Sequence, residues 1–407
     1  MAAVLLDISR TISRAPYPYP TGVDRVERAY IKHFLEADTQ VWFLSRVLKG
    51  YVLLNKSAMQ VIWPMITGEA PWQKPDLIAL LFSHKLPALT NQAESTLRRA
   101  ATAKCFRAGL AKMLSAHVPK GFFYLNVGHS NRKPALWAAI KAAGVGQSLA
   151  MVHDVIPLDY PEYTRPDTAA RFESELKATA AACDALIYNS EDTANRTARW
   201  LKKWGLSPQS LPILLGTAPL PKQNLAPLAD TAEFVILGTI EPRKNHQILL
   251  DVWPEVDAHL HIIGQRGWLN EAVFKILDTS PMMGAKVFEH AKLSDAALAH
   301  RLASARALLF PSYAEGFGFP LIEALQMRLP VICADLPCFR EIAGDLPLYL
   351  PPDNPAAWLK ALQAAAASPR ENIPENVAFP TWDQHFAKLS CFLYNADNTG
   401  EKKAGIC

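Results

Sequence analysis

The chain has 407 residues, about half of them apolar and a fifth charged, which excludes a disordered or fibrous polymer and leaves room for two or three domains. Its net charge of +4 is too mild for a nucleic-acid-binding surface. Six cysteines hold no Cys-x-x-Cys pair, so inert thiols in a reducing compartment are expected rather than metal ligands.

The opening Met-Ala-Ala-Val-Leu-Leu-Asp carries too short an apolar run, and no basic leader, for a signal peptide. Nothing approaches the roughly 20 apolar residues of a spanning helix. A soluble, cytoplasmic-type protein is the expectation. Buried strands are then predicted at 4–8, 40–44, 122–127, 148–153 and 185–189, with helices at 22–34, 134–143 and 168–182. Residues 46–96 mix Trp, Pro and apolar residues without a clear period and receive no assignment.

Residues 97–112 contain five basic residues and no acidic one, with Leu97, Ala101, Cys105, Ala108 and Lys112 near one helical face. The spacing predicts a weakly amphipathic basic helix. It reads either as a solvated surface or, through Arg98, Arg99, Lys104 and Arg107, as a dock for anionic lipid headgroups or a lipid-phosphate acceptor.

Prolines break the pattern at 216–230, marking an interdomain linker. Strands then restart at 233–238, 260–264, 286–290, 307–311, 331–334 and 348–350, with helices at 246–253, 270–277, 294–304 and 320–327. Alternation of this kind predicts an α/β chain of two doubly wound, Rossmann-like domains facing each other across a cleft, with ligands at the carboxyl ends of the strands. The expected division is 1–218, 219–380, and a C-terminal helix within 381–407 that crosses back to the first domain before a frayed tail.

Chemistry is therefore sought at strand ends. At Gly238-Thr-Ile-Glu-Pro-Arg-Lys-Asn245, Gly238 permits close backbone approach and Asn245 is a candidate helix N-cap. Arg243 and Lys244 stand at the end of a helix where cations oppose the macrodipole, which makes sense if an anion such as a diphosphate sits there. After the strand at 307–311, Glu315-Gly-Phe-Gly-Phe319 turns into a helix that Pro320 opens, placing Glu323 in its first turn. Carboxylates accept hydrogen bonds from sugar hydroxyls, so cations and acids together read as a nucleotide-sugar pocket. Otherwise Arg243 and Lys244 form a basic surface turn, Glu315 is a solvated loop acid and Glu323 complements a dipole. In the first half, His153 and Asp154 end a buried strand facing the cleft, although a lone histidine there is often structural. The turn Thr21-Gly-Val-Asp-Arg25 opens a helix toward the same gap.

Together these residues resemble the retaining glycosyltransferases of family 4, which have the GT-B fold. The resemblance rests on the stretches just quoted, on Ile262-Ile-Gly-Gln-Arg-Gly-Trp268, and on Phe310 through Ala324 with its two glutamates eight apart. It continues through 329–335 and 340–344. By that resemblance, Glu315 and His153 contact the donor sugar, Glu323 binds the ribose, and Arg243 with Lys244 neutralises the diphosphate. Gly316, Phe317, Gly318 and Phe319 offer backbone amides; Gly22 lies in the loop closing over the phosphates, and Gly238 and Gly264 belong to the donor-binding set. The resemblance further implies no metal and no cofactor beyond a nucleoside diphosphate sugar, best GDP-mannose. The acceptor is a polysaccharide or polyprenyl-linked glycan, as in lipopolysaccharide or capsule synthesis, with peripheral contact to the inner face of the cytoplasmic membrane. His290 stands where such proteins commonly have glycine, near the base. The alternative is a catalytically degenerate sugar-binding subunit. A dinucleotide-dependent oxidoreductase would need Gly-x-Gly-x-x-Gly after a strand, which neither half supplies.

Overall fold

A computed structural model describes residues 2–17, 20–217, 231–291, 293–370, 373–374 and 377–397. Its first sheet contains β1 (Val4–Asp7), β2 (Val41–Val47), β3 (Gly50–Asn55), β4 (Ala103–Phe106), β5 (Phe123–Asn126), β6 (Gln147–Val152), β7 (Ala185–Tyr188) and β8 (Gln209–Pro212). They lie in the order β4-β3-β2-β1-β5-β6-β7-β8, parallel except that β3 runs against both neighbours. The second sheet contains β9 (Glu233–Leu237), β10 (His259–Ile263), β11 (Val287–His290), β12 (Ala307–Phe310), β13 (Val331–Ala334) and β14 (Leu348–Leu350). Its order is β11-β10-β9-β12-β13-β14, all parallel.

Every strand expected from the sequence is present, because parallel strands covered on both faces read as continuous apolar runs. The side-chain period of two then divides each run between two cores. Val4 and Leu6 enter one core and Leu5 another. In the second sheet, Leu308 and Phe310 enter the first core while Ala307 and Leu309 enter a third. The first core holds residues of both sheets, so the domains meet through apolar packing around Phe317 and Phe319.

The predicted basic helix at 97–112 is not formed. A helix spans Ala88–Ala100, Ala101 leaves it with extended backbone, and β4 follows as the edge partner of β3. Lys104 and Arg107 are exposed, but Arg98 is buried, paired with Asp76 at 2.6 Å and Glu94 at 3.0 Å. A cation already neutralised by two carboxylates is no lipid contact. The helical period of Leu97, Ala101 and Cys105 was coincidental, since tertiary pairing with β3 overrides weak amphipathicity.

The Trp382–Asp397 helix lies against the first domain. His385 bonds the Leu214 carbonyl through Nδ1 at 2.9 Å and the Tyr30 hydroxyl through Nε2 at 2.8 Å. Phe386, Leu389 and Leu393 join the shared core. Buried apolar side chains of this size contribute about 1.5–3 kcal/mol each, so docking is chiefly apolar. Most of the proline-rich linker and the polar tail fall outside the described residues. Among the described residues Cys105, Cys183, Cys333 and Cys338 are free thiols.

Candidate active site at the facing strand ends

Each sheet has one place where neighbouring strands send their connections in opposite directions: β1/β5 in the first, β9/β12 in the second. Doubly wound sheets bind ligands there. The β9 end continues through Gly238 to a short 3₁₀ turn, Pro242–Lys244; the β12 end continues through Ser312 to Gly318. Gly238 has φ +136°, and a β-carbon on Gly264 would lie 1.9 Å from the Gly238 carbonyl oxygen. Only a glycine at 264 lets the two loops stack this closely.

Glu315 is the centre of the second-domain site. Its Oε1 accepts from Lys244 Nζ at 2.6 Å, Arg243 Nη1 at 2.7 Å and Ser312 Oγ at 2.8 Å. Burial alone would protonate this carboxyl, but the two cations reverse that and hold its pKa at about 2. Arg243 also donates to Glu241 Oε1 at 2.5 Å and the Ala314 carbonyl at 2.8 Å. Burial opposes the Arg243 charge, yet Glu315 and Glu241 outweigh it and raise its pKa. Lys244, with 10 % side-chain exposure and 4.5 Å over the Phe310 ring, has its pKa lowered by burial against the pull of Glu315. No hydrogen bond reaches Glu315 Oε2 among the described residues, so that oxygen is available to a ligand hydroxyl. Lys244 uses one of its three N–H donors on Glu315 and keeps others for an anion.

Two local expectations are corrected. Asn245 does not cap the following helix with its side chain; it adopts φ 53° and donates to the carbonyls of Pro311 and Pro352. Glu323 is the fifth residue of the Phe319–Gln326 helix, beyond its first turn, so it is not there to complement the dipole. Phe317 and Phe319 are buried, their rings 5.2 Å apart in the shared core, which leaves only their backbone for a ligand.

On the first-domain side, His153 follows β6 and is buried. Its Nε2 lies 2.7 Å from the Val127 carbonyl oxygen, which only accepts, so Nε2 carries the ring proton. Its amide donates to His129 Nε2 at 3.1 Å. Burial holds the His153 pKa at about 3 and that of His129 well below the usual range, so both rings are neutral. Arg132 donates to the Asn126 side chain and to the Asn126 and Met151 carbonyls, and burial pulls its pKa to about 10.

The two halves are in direct contact. The Gly316 carbonyl accepts from Ser190 Oγ and Thr193 Oγ1, and a β-carbon on Gly316 would fall 2.2 Å from the His153 carbonyl oxygen. Glu341 reaches across to accept from the amides of Glu191 and Asp192, opening the Glu191–Trp204 helix of the other domain. Tyr163 and Tyr313 stack across the cleft at 5.5 Å. Beside them lies a cavity of about 440 Å³ bordered by Tyr160, Asp192, Arg196, Tyr313, Glu315 and Cys338. His153, Arg243, Lys244, Glu315 and Gly316 are thus brought together. His290 is instead tied to His261, Nε2 to Nδ1 at 3.0 Å, on the β10–β11 side.

Sequence reasoning gave no role to Arg25. Its guanidinium pairs with Glu323 across the cleft and lies 4.5 Å over the Phe319 ring. Gly22 opens the same helix, Gly22–Glu36, and a β-carbon there would come within 3.3 Å of Phe319. The three-residue spacing from Gly22 to Arg25, one helical turn, was the available signal.

Residues 221–377 match the family model for glycosyl transferases group 1. The chain is 28% identical over 415 residues to the serotype-specific mannosyltransferase WbdA of Escherichia coli, covering 94% of this chain and 44% of that protein. It is 24% identical over 223 residues to the O-antigen chain mannosyltransferase B of Escherichia coli, covering 51% of this chain and 58% of the relative. The chain therefore spans less than half the length of WbdA. The Anabaena HepE structure in complex with UDP-glucose superposes with a TM-score of 0.63 at 12% identity, covering 97% of this chain and all of that one; at that identity the likeness concerns fold. Residues 221–377 are thus similar to the group 1 glycosyl transferases, and they are set in a GT-B fold of two facing sheets.

Proposed function

We propose that the chain is a retaining glycosyltransferase that moves mannose from GDP-mannose onto a polysaccharide or lipid-linked glycan, without a metal. The observation that carries this reading is Glu315, fixed through Oε1 by Arg243, Lys244 and Ser312 while Oε2 accepts no hydrogen bond among the described residues. The choice of mannose is supported by the relatives named mannosyltransferase, two of them above. O-antigen synthesis is the process that the name of the O-antigen chain mannosyltransferase B favours, and the cytoplasmic face of the membrane is the place we propose for it.

In this reading Glu315 Oε2 accepts from a donor-sugar hydroxyl, Glu323 from the ribose, and the spare donors of Arg243 and Lys244 hold the diphosphate. The acceptor oxygen attacks the anomeric carbon on the face the diphosphate leaves. The bond to the leaving oxygen breaks, and that oxygen takes the acceptor's proton. The cations stabilise negative charge as it develops, which is where preorganised donors matter most. Neutral His153 contributes a carbonyl and a fixed ring rather than a proton. The degenerate-subunit alternative would fit the loss of Glu323 or of the basic pair Arg243 and Lys244, and this sequence keeps all three.

Thermal-shift measurements with GDP-, UDP- and ADP-sugars, followed by transfer assays, test this. GDP-mannose is expected to stabilise the chain and to yield an α-linked product, with EDTA lacking effect. A β-linked product would remove the front-side mechanism, and stabilisation by none of the donors would remove the reading.

A further inference from the structure

The Glu191–Trp204 helix has two distinct faces. Ala194, Thr197 and Leu201 are buried in the first domain. Asp192, Asn195, Arg196 and Arg199, at positions i, i+3, i+4 and i+7, form a polar stripe bordering the cavity of about 440 Å³ beside Glu315. Of the residues around that cavity, the proposed reaction uses Glu315 alone.

The stripe is fixed from behind. Asp159 accepts from Arg196 Nε and from Trp200 Nε1, both at 2.7 Å, and the Arg196 guanidinium lies 5.2 Å over the Tyr160 ring. Arg196 Nη2 has no hydrogen-bond partner among the described residues. Neither the Asn195 side-chain amide nor the hydroxyls of Tyr160, Tyr163 and Tyr313 bond to a protein group there. The three tyrosine rings are half-buried and nearly parallel, Tyr160 on Tyr163 at 5.8 Å and Tyr163 on Tyr313 at 5.5 Å. They run from the first domain across the cleft to the loop that carries Glu315. Between that loop and the stripe stands Asp154, whose carboxyl feels the charges of Arg243, Glu315 and Arg196.

A hexose presents hydroxyls that both donate and accept, and apolar C–H faces that cover aromatic rings. An acid, an amide, two guanidiniums and half-exposed tyrosines satisfy both kinds of surface. A bare anion would meet the carboxylate of Asp192. A wholly apolar ligand would leave the four polar side chains of one helix face unsolvated. The volume falls within the roughly 300–1,000 Å³ of small-molecule pockets. We infer that this cavity is the acceptor subsite, with the terminal sugars of a glycan on the tyrosines and bonded to Asp192, Asn195 and Arg199. The attacking hydroxyl then lies at the Glu315 end. The subsite depends on the transferase reading above and specifies it: the acceptor is a glycan of two or more sugars, positioned by first-domain residues that have no assigned part in holding the donor.

Calorimetry of the full chain with mannose, an α-linked mannobiose and an α-linked mannotetraose tests this without requiring turnover. The wild type is expected to bind the tetrasaccharide at least about tenfold more tightly than mannose, the usual worth of one added hydrogen bond to a charged group. Asn195→Ala/Arg199→Ala, on the exposed side of the helix, should lose about that factor. Tyr160→Ala should lose a similar one, and Tyr160→Phe should recover most of it because the ring face remains. In transfer assays the same variants should raise the KM for the glycan and leave the KM for GDP-mannose at the wild-type value. Equal affinity for the tetrasaccharide in wild type and variants, or no binding of any of the three sugars by the wild type, overturns the proposal. So does a rise in the KM for GDP-mannose alone, which would make the cavity part of the donor site. A chain that binds the tetrasaccharide through these residues but is stabilised by no nucleotide sugar would keep the glycan site and remove the transferase reading, so the two fail separately.

Discussion

At the β9 and β12 ends, two cations and a hydroxyl converge on one oxygen of an ionised carboxylate, whereas at the β5 and β6 ends two histidines have lost their charge to burial. Both regions are buried, so burial alone does not explain the difference. Glu315 stays ionised because cations of the same domain touch it. His129 and His153 have Arg132 and Arg10 nearby, and among the described residues no carboxylate hydrogen-bonds to either ring. One side of the cleft is built to manage charge and the other to supply fixed neutral donors and carbonyls. A reaction that releases an anionic diphosphate and attacks with a neutral hydroxyl uses such a division.

The largest expected effect comes from breaking the charged side. Lys244→Ala should lower mannosyl transfer by about a hundredfold or more, the usual cost of a lost transition-state donor. Near-wild-type turnover in a folded variant would mean that Lys244 serves Glu315 alone. The contact between the two sides is tested by Gly316→Ala, which drives a methyl into the His153 carbonyl oxygen. Small displacements at a reacting centre are costly, and about a tenfold to hundredfold loss in kcat is expected with circular dichroism unchanged. Unaltered kcat would show that this close approach does not set the reaction geometry.

Much of this division was legible in the sequence, and what was hidden has physical causes. Strands β9 to β14 were readable because both faces are apolar, and Arg243, Lys244 and Glu315 because loops at a switch point carry little other than site residues. Strands β3, β4 and β8 were missed. β3 is apolar and buried but lies inside the irregular stretch 46–96, β4 alternates half-buried and exposed positions at the sheet edge, and β8 is short, with Gln209 and Ser210 exposed. The direct pairing of Lys244 with Glu315, 71 residues away, could not be read from spacing, nor could that of Arg243 with the same carboxylate. Neither could the partnership of Arg25 with Glu323, which depends on how the domains meet.

The neutral side makes its own prediction. Glu27 is buried against Gly128 and accepts from the Thr11 amide and hydroxyl. Burial raises its pKa from 4.5 to about 8, with Asp7 raising it further and Thr11 and Arg10 opposing. The folded value lies above the unfolded one, so this stability is fully present below about pH 4.5 and is lost as pH rises through about 8. The slope in that window is at most about 1.4 kcal/mol per pH unit. Glu27→Gln keeps an acceptor but cannot ionise, so its melting temperature should fall less than the wild type's between pH 5 and 8. Parallel profiles would mean that Glu27 does not carry the proton. Asp7, also raised by burial, leaves a residual slope in both proteins.

The smallest effect probes the link between the sides. Arg25 holds Glu323, the carboxylate proposed for the ribose, while its own side chain is about a third exposed. Pairs exposed to this degree contribute about 0.2–1 kcal/mol, because solvent screens them and ordering two side chains opposes them. If ribose and Arg25 compete for Glu323, Arg25→Ala should tighten binding of the nucleoside part by up to about fivefold in calorimetry. The gain should vanish in a Glu323→Gln background, where there is no carboxylate to release. Weaker binding in Arg25→Ala would instead make Arg25 a ligand for the nucleotide, and the charged side of the cleft would then extend into the first domain.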